Sequence, residues 1–128
     1  MAIKFQELET EQEFFDVLAA DMAIIYFSVG WSEQERKSQY VVHQAIEEID
    51  NLQIPVFKID CSDESKKYAI DWILEQQKTI NNLNYGGYGE TLLIKKGKLM
   101  DFIKYPGNLG LEKTKEILNS WNNAYSIS

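Results

Sequence analysis

Residues 23–37, AIIYFSVGWSEQERK, constrain this chain more than any other stretch. A largely apolar run, Ala23 to Val29, stops at Gly30-Trp31, and a polar, charged segment opens at Ser32. A run that is apolar on both faces predicts a central strand covered by helices on each side. Ser32 is a suitable N-cap, and Glu33 and Glu35 suit the positive end of a helix dipole. Val41, Val42, Ala45, Ile46 and Ile49 then recur at helical spacing, predicting a helix over roughly 32–50. A buried strand that ends at a helix N-terminus is a good place to hold a reactive group. This junction carries no obvious one.

The remaining elements follow from local signals. Thr10-Glu11-Gln12-Glu13 has capping-box spacing, and Phe14, Phe15, Val17 and Leu18 continue it as a short amphipathic helix. Ile54–Asp60 predicts a second strand with its Pro at the start, where a missing donor is tolerated. Strand, helix, strand in this order implies parallel pairing through a right-handed crossover. Ser62 and Asp63 cap a third helix, expected to reach about residue 81. Residues 81–90, NNLNYGGYGE, hold three Gly and three Asn and read as a loop. Thr91–Ile94, the turn Lys95-Lys96-Gly97-Lys98 and Leu99–Tyr105 predict a β-hairpin. Leu111, Thr114, Ile117, Leu118 and Trp121 predict a last helix, with 123–128 as a frayed tail. The chain reads as one domain, 1–128, with its core over about 5–122.

Composition narrows the function. The net charge of −7 disfavours nucleic acid. No run reaches the roughly 18 apolar residues of a membrane span, and the N-terminus lacks a signal-peptide layout, so the expectation is a cytoplasmic protein. Cys61 is the single cysteine, so no intramolecular disulfide forms. His43 is the single histidine and is expected at the surface. A metal site would need further His or Cys ligands, so neither metal nor cofactor is expected.

The order helix, strand, helix, strand, helix, loop, hairpin, helix resembles the thioredoxin family. Ile25–Trp31 looks like that family's strand leading into Trp-Cys-x-x-Cys. Asp60 looks like the aspartate closing its next strand. Thr91–Lys98 looks like its hairpin, and Gly107-Asn108-Leu109 precedes the last helix as it does there. The resemblance implies an α/β fold with a central mixed sheet flanked by helices, three layers deep. At the site the chain departs. The two family cysteines fall on Ser32 and Glu35, the buried aspartate on Tyr26, and the cis-proline on Glu90. A non-proline cis bond costs about 3–4 kcal/mol, so the Gly89–Glu90 peptide is predicted trans.

The chemistry agrees with those departures. Thiol–disulfide exchange needs a thiolate, and a Ser nucleophile needs an adjacent base. His43 lies about three helical turns from Ser32, on the order of 16 Å along the axis, so a Ser–His pair is not expected. The preferred function is therefore redox-inactive protein or peptide binding. The candidate edge comprises Trp31, Ser32, Glu33, Gln34, Glu35, Tyr85, Tyr88 and Glu90, with Glu90 expected as an acid on the groove floor. Such acids would favour a basic peptide or extended strand. For Ser32, Glu33 and Glu35 the competing reading is plain capping and dipole compensation; for Tyr85 and Tyr88 it is packing back on the sheet. One alternative function is a single-thiol redox protein using Cys61, whose pKa is expected near the free value of about 8.5. Another is an oligomeric scaffold using a long third helix as its interface.

Overall fold

The computed structural model describes residues 5–30 and 32–127. Its strands are β1 (Gln6–Glu7), β2 (Ala23–Ser28), β3 (Val56–Asp60), β4 (Thr91–Lys95) and β5 (Lys98–Ile103). Its helices are α1 (Glu11–Leu18), α2 (Glu33–Glu48), α3 (Lys67–Gln76), α4 (Pro106–Leu109) and α5 (Leu111–Ile127), with a 3-10 turn at Glu64–Lys66. The sheet order is β1-β3-β2-β4-β5. β1, β3 and β2 run parallel, β4 is antiparallel to β2, and β5 is antiparallel to β4.

Every residue of β2 is buried, because the strand is central and both faces are covered. Ile24 and Tyr26 point into a cluster with Val42 and Ile46 of α2 and Leu118 and Trp121 of α5. Ile25 and Phe27 point the other way, into a cluster with Phe14 of α1 and Ala69 and Ile73 of α3. The period of two in the strand thus places one helix pair on each face, giving three layers.

Local chemistry explains several boundaries. Thr10 and Glu13 form the predicted capping box, with Thr10 Oγ1 accepting from Glu13 N at 3.1 Å and Glu13 Oε1 accepting from Thr10 N at 3.0 Å. The hairpin turns on Lys96 and Gly97, both left-handed at φ 49° and 82°, as a two-residue type I′ connection requires. Its tip is tied down by Lys96 N to Ala20 O at 2.9 Å and Gly97 N to Leu18 O at 2.6 Å.

Two helices end elsewhere than expected. α3 stops at Gln76 instead of reaching residue 81. The chain there curls through short turns, and the Gln77 side chain leaves to accept a hydrogen bond from Tyr85 N at 2.9 Å. The extra length of this region is therefore in turns and loop, and the long helix that the scaffold reading relied on is absent. α5 runs to Ile127 instead of fraying after residue 122. Asn122 anchors it by accepting from Gln53 N at 2.9 Å and donating to Asn51 O at 3.2 Å.

Candidate functional site

The upper edge of the sheet gathers the C-terminal ends of β2 and β3, the start of α2 and the loop before β4. Cys61 N donates to Ser28 O at 2.7 Å, so the two strand ends stay paired past the last ladder residue. A side chain at Gly30 would lie 3.8 Å from Ser62 Oγ, which puts the junction directly beside the end of β3. Trp31 lies outside the described residues.

Ser32 caps α2: its Oγ accepts from Glu35 N at 3.1 Å, and the residue is buried. Glu33 and Gln34 are exposed. Glu35 is only 1% exposed. Its Oε1 accepts from Ser28 Oγ and from Val29 N, the latter at 2.9 Å. With its amide nitrogen turned toward Glu35, Gln39 donates to Oε2 at 3.3 Å and accepts from Lys58 Nζ at 3.0 Å. Lys58 in turn reaches Glu7 at 3.8 Å. Helical periodicity carries residue 35 inward, where its carboxylate closes the end of β2 onto α2. It presents no acid to the surface.

Tyr26 is fully buried, with its hydroxyl donating to Glu35 O at 3.0 Å. Burial pushes its pKa upward, and Glu35 adds to the shift by its charge. Tyr26 is thus a neutral strut joining β2 to the first turn of α2.

Glu90 corrects the expected groove floor. It is 0% exposed and turns its carboxylate back onto its own loop, where Oε2 accepts from Gly86 N at 2.7 Å and Oε1 from Tyr88 N at 3.0 Å. Burial raises its pKa, and the backbone N–H of Gly86 and its neighbours oppose that rise. The backbone around it carries no cis peptide among the described residues, so Gly89–Glu90 is trans. Without the proline, the loop is shaped by a side-chain clamp.

The two tyrosines divide. Tyr85 folds back, its ring 6.1 Å from that of Phe27 and nearly edge-on. Tyr88 is half-buried and stacks on Tyr105 at 5.1 Å, with Lys104 Nζ 5.6 Å from its ring. His43 is half-buried too, against the edge of the Phe5 ring at 4.6 Å, not free in solvent as expected. The Phe5 ring also stacks on that of Tyr26 at 5.6 Å, so it lies between β2 and α2.

Ser38 belongs to no motif in the sequence, yet it joins three segments. Its Oγ donates to Tyr88 O and accepts from Gly107 N at 2.9 Å. A Cβ at Gly107 would come within 2.8 Å of Ser38 N, so α4 rests directly on the α2 backbone. The available signal was a small polar residue on the inward face of α2, three residues after Glu35 and four before Val42.

Cys61 lines a groove of about 430 Å³ with Ser62, Asp63, Glu64, Lys67 and Ile70. Its thiol pKa is pushed up to about 12, not held near the free value: burial is the main cause, Asp60 adds to it, and Lys66 opposes it. Thiolate is the reactive form. We expect alkylation of Cys61 by iodoacetamide to keep rising with pH through 10, whereas a free-thiol control levels off above about 8.5. A Cys61 profile that levels off with the control would show an ordinary, accessible thiol. Among the described residues no group of three His, Cys, Asp or Glu side chains could hold a metal ion. No described helix is long and apolar enough to cross a membrane.

Comparison with solved structures follows the same architecture over nearly the whole chain. A thioredoxin from Malassezia sympodialis superposes with a TM-score of 0.66 at 14% identity, covering 93% of this chain and 91% of that one. The fold is thioredoxin-like. Thioredoxin O2 of Arabidopsis thaliana, in its oxidized state, gives 0.63 at 17% identity over 91% and 92% of the two chains. Mitochondrial thioredoxin 3 of Saccharomyces cerevisiae gives 0.56 at 22% identity over 88% and 94%. No protein-family model matches the sequence, and no curated protein matches it. The likeness is therefore one of fold. On this thioredoxin-like frame, the edge described above carries a capping serine and a buried carboxylate at positions 32 and 35.

Proposed function

We propose that this is a redox-inactive thioredoxin-like domain that binds a protein or peptide along the edge formed by residues 30–35, 60–64 and 85–90. The observation that carries the reading is the fate of Ser32 and Glu35. Both side chains are used internally, one as a helix cap and one as a buried acceptor for Ser28 and Val29. Neither position offers a nucleophile, while Glu33 and Gln34 between them remain exposed. The alternative that uses Cys61 as a lone redox thiol is weakened by its raised pKa. A preference for a basic partner now rests on exposed Glu33, Asp63 and Glu64, since Glu35 and Glu90 are turned inward.

Two measurements test this. In an insulin-reduction assay the protein should accelerate disulfide cleavage no more than an equal concentration of free thiol. Affinity capture should retain a partner on wild type and lose it on Glu33→Lys/Gln34→Lys, whose altered side chains are both exposed. Reduction clearly above the thiol control would overturn the redox-inactive assignment. A partner held equally by both proteins would remove the edge from the interface.

A further inference from the structure

We infer that residues 84–89 form a lid, latched by side chains, over the apolar end of the sheet at Phe27 and Cys61. Among the described residues, no hydrogen-bonded turn or ladder holds 84–89. The segment is instead fastened at separate points by side chains. Gln77 Oε1 takes Tyr85 N at 2.9 Å, the two oxygens of Glu90 take Gly86 N and Tyr88 N, and Ser38 Oγ donates to Tyr88 O. Its two ends are firm. Leu83 is fully buried in the α1/α3 cluster, and Thr91, which donates to Gly89 O at 3.0 Å, begins β4.

Between those anchors the backbone is left-handed at Asn84, Gly87 and Gly89, with φ of 35°, 76° and 85°. The two glycines adopt such φ without strain, so they hinge the segment easily. Segments with few backbone bonds open at lower free energy than the sheet they cover. Beneath the lid the Tyr85 ring rests on Phe27, and both belong to the cluster that Cys61 borders. Release of the Glu90, Gln77 and Ser38 contacts lifts the segment and Tyr85 with it, without breaking any ladder bond of β2 or β4. Opening then adds the Phe27 ring to the upper edge and uncovers the side of Cys61 that packs against this cluster.

The link from opening to ligand binding rests on the proposed function; the lid itself does not, because its test needs no partner. Hydrogen exchange read by mass spectrometry at one pH and temperature would compare wild type, Glu90→Gln and Gln77→Ala. In wild type, amides of 84–89 should exchange at least about tenfold faster than those of β2 and β4. Glu90→Gln replaces one acceptor by an amide donor facing a backbone N–H. It should raise exchange across 84–89 by a further factor on the order of ten. Gln77→Ala, a milder change outside the lid, should raise it several-fold. Iodoacetamide modification of Cys61 should speed up in the same order, with β2 and β4 unchanged. Lid amides that exchange no faster than the strands, variants that accelerate the whole sheet equally, or Cys61 modification that ignores the variants would each overturn the lid.

Discussion

Replacing Gly89 by Ala should destabilise the protein by about 3 kcal/mol or more. Two costs combine. The residue stands at φ +85°, where an added Cβ is strained. That Cβ would also sit 2.5 Å from Ser38 Cβ and 2.7 Å from the Tyr26 hydroxyl oxygen. Neither neighbour yields easily. Ser38 is held between Tyr88 O and Gly107 N, and Tyr26 is fully buried with its hydroxyl committed to Glu35 O. The lower conformational entropy of the unfolded alanine chain returns at most about 1 kcal/mol. Urea denaturation of the two proteins measures the difference, with unchanged slope if both states keep their exposure. Gly97→Ala is the control: its φ is +82°, but nothing lies within 4 Å of an added Cβ, so only the strain should appear. Equal losses at the two glycines would mean that Gly89 does not pack against α2 as described.

The second large effect is expected at Glu35. Glu35→Ala should cost about 2–4 kcal/mol, against no more than about 0.5 kcal/mol for exposed Glu33→Ala. The alanine leaves the Val29 N–H without its acceptor, frees Ser28 Oγ and the Gln39 amide from theirs, and opens a void where the side chain was. Glu35→Gln should fall between, since one amide oxygen can still serve Val29 N. Thermal or denaturant unfolding of the three variants gives the ranking. If Glu35→Ala proved as harmless as Glu33→Ala, the carboxylate would be a surface acid after all. It would then return to the list of groups able to meet a ligand. The two substitutions therefore separate an internal fastening from a binding residue at neighbouring positions.

The sequence determined what depends on neighbours along the chain. The capping box at Thr10 and Glu13, the Ser32 cap, the continuous burial of β2 and the turn at Lys96-Gly97 are set within a few residues, so pattern and turn chemistry reveal them. The order of these elements was enough to indicate the thioredoxin-like frame, and Ser32 and Glu35 to show that its dithiol is missing. Only the tertiary structure decided how the site's polar groups are spent. Ser38 meets Tyr88 across 50 residues and Gly107 across 69, distances at which no local pattern speaks. Glu90 reads as an acid facing a groove until its loop is seen to fold over it and supply two backbone N–H donors. Cys61 has an ordinary thiol in the chain and a suppressed one in the fold, because burial dominates and comes from segments far apart in sequence. A side chain's type limits the chemistry it can perform. Its solvation and partners, which only long-range packing supplies, determine whether that chemistry faces a ligand or holds the protein together.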